Sequence, residues 1–362
     1  MTAEAQTIMR SIIQRIATGP ELSKNISTEE ARAGMRAILE KHIHPVQMTM
    51  FLIALRMKRE TDEEFTGILH AVRDLTETMI SSVDEVLDIA DPYDGFNRTL
   101  PPSPFLPAIL ATCGVATVSH GMETLGPKYG ITHRQILRAA GIPVDLTPIQ
   151  AKNQLETIGW TYIDQSQYCP ALYDLMDFRN TMIKRSALTT VETLIGPIRG
   201  KSKTHVVNGY VHKAYPRIYA LLARAVGFDS ALLVRGTEGG IIPSLRQPAK
   251  CFYYHDLSEE QELNVDPVSL DIHQTTRAIS LGETSEEITF TEENKEIALQ
   301  QSVEMGLAAL KGEQNATRDA LIYVGALCLW HLKRFSSLET AAVQIRKVLD
   351  NGSAFETFNK AK

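Results

Sequence analysis

Residues 205–240 read HVVNGYVHKAYPRIYALLARAVGFDSALLVRGTEGG. A β-rich run at 205–207 leads into a helical stretch at 215–226. A second apolar run at 231–234 follows and breaks on the glycine-rich turn 235–240. Strand, helix and strand in that order predict parallel strands with a helix packed on one face. The alternation recurs upstream, with β-rich runs at 86–89, 116–119 and 160–163 and helical stretches at 105–113 and 133–140. Downstream, 292–310 reads as a helix, and 318–349 as two apolar helices around Ser336-Ser337. The class expected is α/β, with a mainly parallel sheet flanked by helices. Such sheets bind ligands beyond the carboxyl ends of their strands. Those ends are Asp91-Pro92-Tyr93-Asp94-Gly95, His120-Gly121 and Arg235-Gly236-Thr237-Glu238-Gly239-Gly240.

The first 85 residues follow a different period. Ile8, Ile12, Ile13 and Ile16 form one helical stripe, which Gly19-Pro20 ends. Ser27 with Glu30, and Thr61 with Glu64, have the spacing of capping boxes. Pro45 suits a first helical turn. Phe65, Ile68, Leu69, Val72, Leu75 and Met79 recur at helical spacing. A small all-helical domain is expected here.

Composition narrows the class further. The 362 residues are 44% hydrophobic and 22% charged, which excludes disordered, collagen-like and disulfide-scaffold chains. No apolar run is long enough for a transmembrane helix, and no signal-peptide core is seen. Cys113, Cys169, Cys251 and Cys328 lie far apart without a CxxC, so neither a zinc knuckle nor a redox pair is expected, and a cytoplasmic location is. The histidines show no metal-ligand spacing, and no metal site is expected. There is no GxSxG, GxxxxGK[ST], HExxH or GxGxxG.

Charge is uneven. Residues 179–224 hold nine Lys and Arg against the single acid Glu192, whereas 255–319 hold fifteen acids and four bases. The first segment points to phosphate, pyrophosphate or a polyanion, the second to a solvated acidic lobe. Tyr210, His212, Lys213 and Tyr215 add an aromatic and basic cluster suited to stacking on a ring.

The order of features resembles the anthranilate phosphoribosyltransferase family over nearly the whole chain. Residues 54–61, ALRMKRET, resemble that family's LRLKGET, and Ser119-His120-Gly121 resembles the core of KHGNR. Pro170-Ala171-Leu172 with Arg179 resembles HPAM…VR, Ile195-Gly196-Pro197-Ile198 resembles LGPL, and residues 234–239, VRGTEG, resemble VHGxDG. Lys128 and Gly130 resemble a KxG pair. The resemblance implies a helical domain of residues 1–85 with part of 165–200, and a large α/β domain of 86–164 and 201–362. It also implies a homodimer through the N-terminal helices. Active members bind phosphoribosyl pyrophosphate and magnesium between the domains.

The departures from the family pattern fall on its chemistry. Asp91-Pro92-Tyr93-Asp94-Gly95 stands where the family has GTGGD, so close approach of backbone amides to pyrophosphate is lost. Pro101-Pro102-Ser103-Pro104 replaces NIST and keeps the serine. Met122 and Glu123 replace the asparagine and arginine of KHGNR, Ile241-Ile242 falls near the magnesium-binding acidic pair, and Cys169 takes the place of a histidine. The pattern is closer to a divergent second-paralogue branch, one form of which is associated with nucleic-acid binding.

The expected ligand- or anion-binding residues are Asp94, Gly95, Ser103, His120, Gly121, Lys128, Arg179, Arg185, Arg235, Gly236 and Glu238. The expected basic patch is Arg199, Lys201, Lys203, Lys213 and Arg217. No catalytic residue is assigned. Magnesium is expected only if transfer activity survives. The expected partner is a phosphorylated, pentosyl phosphate-like small molecule. The alternative is a nucleic acid held by the basic lobe without catalysis.

Overall fold

A computed structural model describes residues 2–19, 21–280 and 292–362. Four N-terminal helices come first: α1 (Ala3–Ile16), α2 (Thr28–Leu39), α3 (Pro45–Lys58) and α4 (Asp62–Asp74). Both expected capping boxes form, Ser27 with Glu30 and Thr61 with Glu64, satisfying amides the helix leaves open. Pro45 is the first residue of α3. Within the α1 stripe Ile12 and Ile16 are buried and Ile8 and Ile13 partly so. Pro20 lies outside the described residues. Helices α2 and α4 touch where Gly67 faces Thr28. A Cβ on Gly67 would sit 2.3 Å from the Thr28 carbonyl oxygen, so only glycine permits that approach.

Among the described residues nine strands follow. β1 (Met79–Ile80) pairs with β5 (Ile198–Arg199) as a small parallel clip. The remaining seven are β2 (Glu85–Ala90), β3 (Ala116–Gly121), β4 (Trp160–Asp164), β6 (Lys203–Tyr210), β7 (Ser230–Arg235), β8 (Ala249–His255) and β9 (Gln261–Val265). They form one sheet in the order β4-β3-β2-β6-β7-β8-β9. The five strands expected from sequence are mutually parallel. Two further strands, β8 and β9, add an antiparallel edge. The acidic reading of 255–319 hid β9, which is a half-exposed edge carrying Glu262 and Asn264. Part of that acidic run, 281–291, lies outside the described residues.

The sheet is covered on both faces. Leu87 and Ile89 point into a core shared with the helices Leu106–Thr112, Ala316–His331 and Leu338–Asp350. Val86, Val118, Val206 and Leu233 point the other way, into a core shared with α1–α4, helix Tyr215–Ala225 and the 168–198 segment. Alternate residues of β2 thus serve opposite layers, as the twofold period of a strand requires. This arrangement seats the helical domain over one face of the sheet and leaves a cleft at its carboxyl edge. Among the described residues no helix is long and apolar enough to cross a membrane.

Candidate functional site

The cleft measures about 1320 Å³ and is walled by the ends of β2, β6 and β7, by Arg56 of α3 and by the 185–193 segment. The loop after β2 turns its polar groups inward. Asp91 is buried. Its Oδ1 accepts the Ile241 amide at 3.0 Å, while Oδ2 meets His133 Nε2 at 2.9 Å and the Ser103 hydroxyl. Burial raises the Asp91 carboxyl, but His133, Ser103 and Ile241 bring it below its usual range. The buried Tyr93 hydroxyl lies between His120 Nδ1 and the Tyr168 hydroxyl, the latter at 2.6 Å. His120 Nε2 is 2.8 Å from Asp88. Burial pushes the Tyr93 and Tyr168 phenols well above their usual range, so both stay neutral. Gly95 has φ +73° and packs on Gly130, where a Cβ would sit 2.6 Å from backbone. The side chains of Asp91 and Tyr93 thus plug the space behind the loop, Pro92 offers no amide, and the Gly95 amide is bonded to the Pro92 carbonyl.

Four expected residues are thereby corrected. Gly95, His120, Gly121 and Ser103 are buried behind the cleft wall and do not line it, because Gly95 packs on Gly130 and the Asp88–His120–Tyr93–Tyr168 chain and the Asp91–Ser103–His133 cluster use the polar atoms of the others. Arg179 is corrected as well. It is buried and donates two bonds, of 2.7 and 2.8 Å, to Glu192, so its charge is matched inside the protein.

The structure does bring Asp94, Lys128, Arg185, Arg235, Gly236 and Glu238 to the cleft. Asp94 is ion-paired with Arg185 and lies 3.9 Å from Lys128. Lys128 Nζ reaches the Gly95 carbonyl at 2.6 Å and the Glu238 carboxylate at 3.1 Å. Glu238 holds a left-handed backbone, φ +54°, and its carboxylate accepts the Arg98 amide at 3.0 Å and the Thr99 hydroxyl at 2.9 Å. Burial raises the Glu238 carboxyl, yet Lys128, Asn97 and Thr99 together hold it below its usual range. Gly236 is required sterically. A Cβ there would fall 1.6 Å from the Gly240 carbonyl oxygen.

The balance of charge is the main feature of the cleft. Arg56, Arg98, Lys128, Arg185, Arg235 and Arg277 line it against two carboxylates, Asp94 and Glu238, both of which already face cations. Arg235 has no ion-pair partner among the described residues; neither has Arg277, whose guanidinium donates to Gln247 at 3.3 Å. Arg56, Arg98 and Arg277 were not among the expected site residues. Arg98 and Arg277 sit in loops without strand or helix period, and only tertiary folding brings them here. Asn208 and the hydroxyls of Ser186, Thr189, Thr190 and Thr193 complete the far wall.

The expected basic patch is dispersed. Arg199 is buried, stacks 4.1 Å over Phe228 and donates to the carbonyls of Val226 and Gly227. Burial and the nearby Arg73 pull its guanidinium down to about 10. Arg217 makes two 2.7 Å bonds to Asp62, and Lys203 lies 3.4 Å from Asp256. Lys201 and Lys203 stand at the start of β6 and Lys213 beyond its end, roughly 25 Å apart along eight strand residues. They do not share one surface.

Magnesium, which the resemblance implies, finds no suitable donors. Ile241 and Ile242 are buried apolar side chains. The carboxylates of the cleft are held by cations, and the described residues include no group of three or more His, Cys, Asp or Glu placed to hold a metal ion. A hard cation needs oxygen ligands that these residues do not offer.

The chain belongs to the glycosyl transferase family that joins a helical bundle domain, matched at residues 10–76, to an a/b domain, matched at residues 99–355. Its relatives include the anthranilate phosphoribosyltransferase of Acetivibrio thermocellus, 24% identical over 98% of this chain and 95% of the relative. An uncharacterized protein of Aquifex aeolicus is 31% identical over 62% of this chain and 67% of its own length. Among solved structures, anthranilate phosphoribosyltransferase from Thermus thermophilus superposes with TM-score 0.75 at 17% identity, covering 98% of both chains. The Saccharomyces cerevisiae enzyme in complex with PRPP and Mg gives 0.77 at 14% identity, covering 98% of this chain and 96% of that one. At these identities the structural likeness concerns the fold.

Proposed function

We propose that this protein binds a phosphorylated, pentosyl phosphate-like ligand in the interdomain cleft and does not carry out magnesium-dependent phosphoribosyl transfer to anthranilate. The observation that carries the reading is the surplus of cleft cations, above all Arg235 and Arg277, over two carboxylates that are already paired. Guanidinium groups at the carboxyl edge of a parallel sheet suit phosphate oxygens. The case against transfer is chemical. The side chains of Asp91 and Tyr93 are engaged behind the cleft, and its two carboxylates, Asp94 and Glu238, are already engaged by Lys128 and Arg185. As a dimer, the protein would join through α1 and α3, where Val46, Met50 and Met57 are exposed on one helix.

Calorimetric titration at two salt concentrations tests this. Phosphoribosyl pyrophosphate is added with and without magnesium, followed by a short single-stranded oligonucleotide. Saturable, salt-tolerant binding that ignores magnesium, with no anthranilate consumed, is expected. Oligonucleotide binding that collapses with salt, with no heat from the sugar phosphate, would sink the reading and favour a polyanion binder.

A further inference from the structure

The two walls of the cleft differ in chemistry. Where β6 ends and helix Tyr215–Ala225 begins, Tyr210, His212, Tyr215 and Tyr219 all line the cleft. The ring centroids of His212 and Tyr215 are 6.2 Å apart, and those of Tyr215 and Tyr219 are 5.7 Å apart. The rings of His212, Tyr215 and Tyr219 thus form an aromatic shelf, exposed at His212 and half exposed at Tyr215, with the buried Tyr210 beside it. The anion side begins one strand away. Arg235 is the in-register neighbour of Tyr210 on the adjacent parallel strand, a separation of about 4.8 Å between strands. Arg98, 4.0 Å from Glu238, and Arg277 complete that side.

An aromatic shelf next to the guanidinium groups of Arg235 and Arg277, which have no ion-pair partner among the described residues, matches a ligand with a flat ring at one end and a phosphate at the other. The ring stacks on aromatic faces, and the phosphate takes the planar fork of an arginine. A bare sugar phosphate would use only the second half of this arrangement. We propose that the cleft takes a nucleoside monophosphate, with its base on the His212–Tyr215 shelf and its phosphate at Arg235, supported by Arg98 and Arg277. The inference rests on the reading that the cleft binds a phosphorylated ligand. It places the anion site on the lip after β7 and leaves the plugged loop after β2 out of ligand binding. The hydroxyls of Thr189 and Thr190, on the facing wall, are the donors open to the sugar.

The test titrates the full chain with a purine and a pyrimidine mononucleotide, ribose 5-phosphate, an unphosphorylated nucleoside and a short oligonucleotide. The mononucleotide is expected to bind about tenfold tighter than either fragment, the size of one base–aromatic stack. Tyr215→Leu should bring the mononucleotide down to the level of ribose 5-phosphate and leave ribose 5-phosphate itself unchanged. His212→Ala, at an exposed position, repeats this test if Tyr215→Leu fails to fold. Arg235→Gln should weaken every phosphorylated probe. Equal binding of mononucleotide and ribose 5-phosphate overturns the base shelf while the phosphorylated-ligand reading stands. Absence of heat from every phosphorylated small molecule removes that reading too. Binding of the oligonucleotide alone overturns the mononucleotide in favour of a polymer.

Discussion

Replacing Arg179 with Met separates a structural role from a ligand role at the one residue where the family resemblance and the structure disagree most sharply. In the fold Arg179 and Glu192 are both buried and joined by two bonds of 2.7 and 2.8 Å. Arg179→Met leaves the Glu192 carboxylate in the core without its counter-charge, and breaking such a pair from one side costs about 3–5 kcal/mol. At about 2–4 °C per kcal/mol for a chain of this order, the melting temperature falls by roughly 6–20 °C. Arg179→Met combined with Glu192→Leu removes the orphaned charge, so most of the loss returns, because an apolar pair of similar volume is near neutral. Scanning calorimetry of wild type, single and double variants reads these values. Titration of the single variant below its transition reads ligand affinity, which should match wild type. A melting temperature that stays put while phosphate-ligand affinity collapses would refute the reasoning and return Arg179 to the cleft.

Other perturbations follow from the same geometry. A Cβ at Gly209 would sit 2.2 Å from the carbonyl oxygens of Gly239 and Gly240, so Gly209→Ala should cost about 1–3 kcal/mol by calorimetry and weaken ligand binding by displacing the β7 lip. Burial, with smaller contributions from His255 and His205, holds His331 neutral well below its usual range, while the unfolded chain protonates it near about pH 6.5. A base with a depressed folded pKa gives stability that is full above the unfolded value and lost as pH falls below it. The melting temperature should therefore drop from about pH 7 to about pH 5, and drop less in His331→Leu. In segment 179–224 only Lys184, Lys201 and Lys213 are exposed cations without an ion-pair partner among the described residues. Any single-strand binding through that segment should show a log affinity against log salt slope of about −2. Anisotropy titrations giving a slope of about −6 or steeper would contradict the dispersed charge.

The sheet was legible because its parallel strands are buried on both faces and read as short apolar runs closed by glycine turns, as at 231–240. The N-terminal helices were legible because caps and stripes are local, as Ser27 with Glu30 shows. Edge strand β9 escaped notice. Three of its five residues are exposed and polar, Gln261, Glu262 and Asn264, and its pairing with β8 is a tertiary fact. At the site, Lys128, Arg185, Arg235 and Glu238 lie next to motifs and could be named in advance. Arg98 and Arg277 carry no local signal.

Sequence by itself determined the two-part architecture, the parallel strands with their carboxyl edge, and the residue types that stand at 91–95 and 241–242. These depend on residue type and near-neighbour spacing, which the chain states directly. Tertiary structure decided which charges remain available. Arg179, Arg199 and Arg217 look alike in sequence, yet one is matched by a buried carboxylate, one is packed on a phenylalanine and one is paired across to α4. A charge acts through what lies within a few ångströms of it, and those neighbours come from distant parts of the chain.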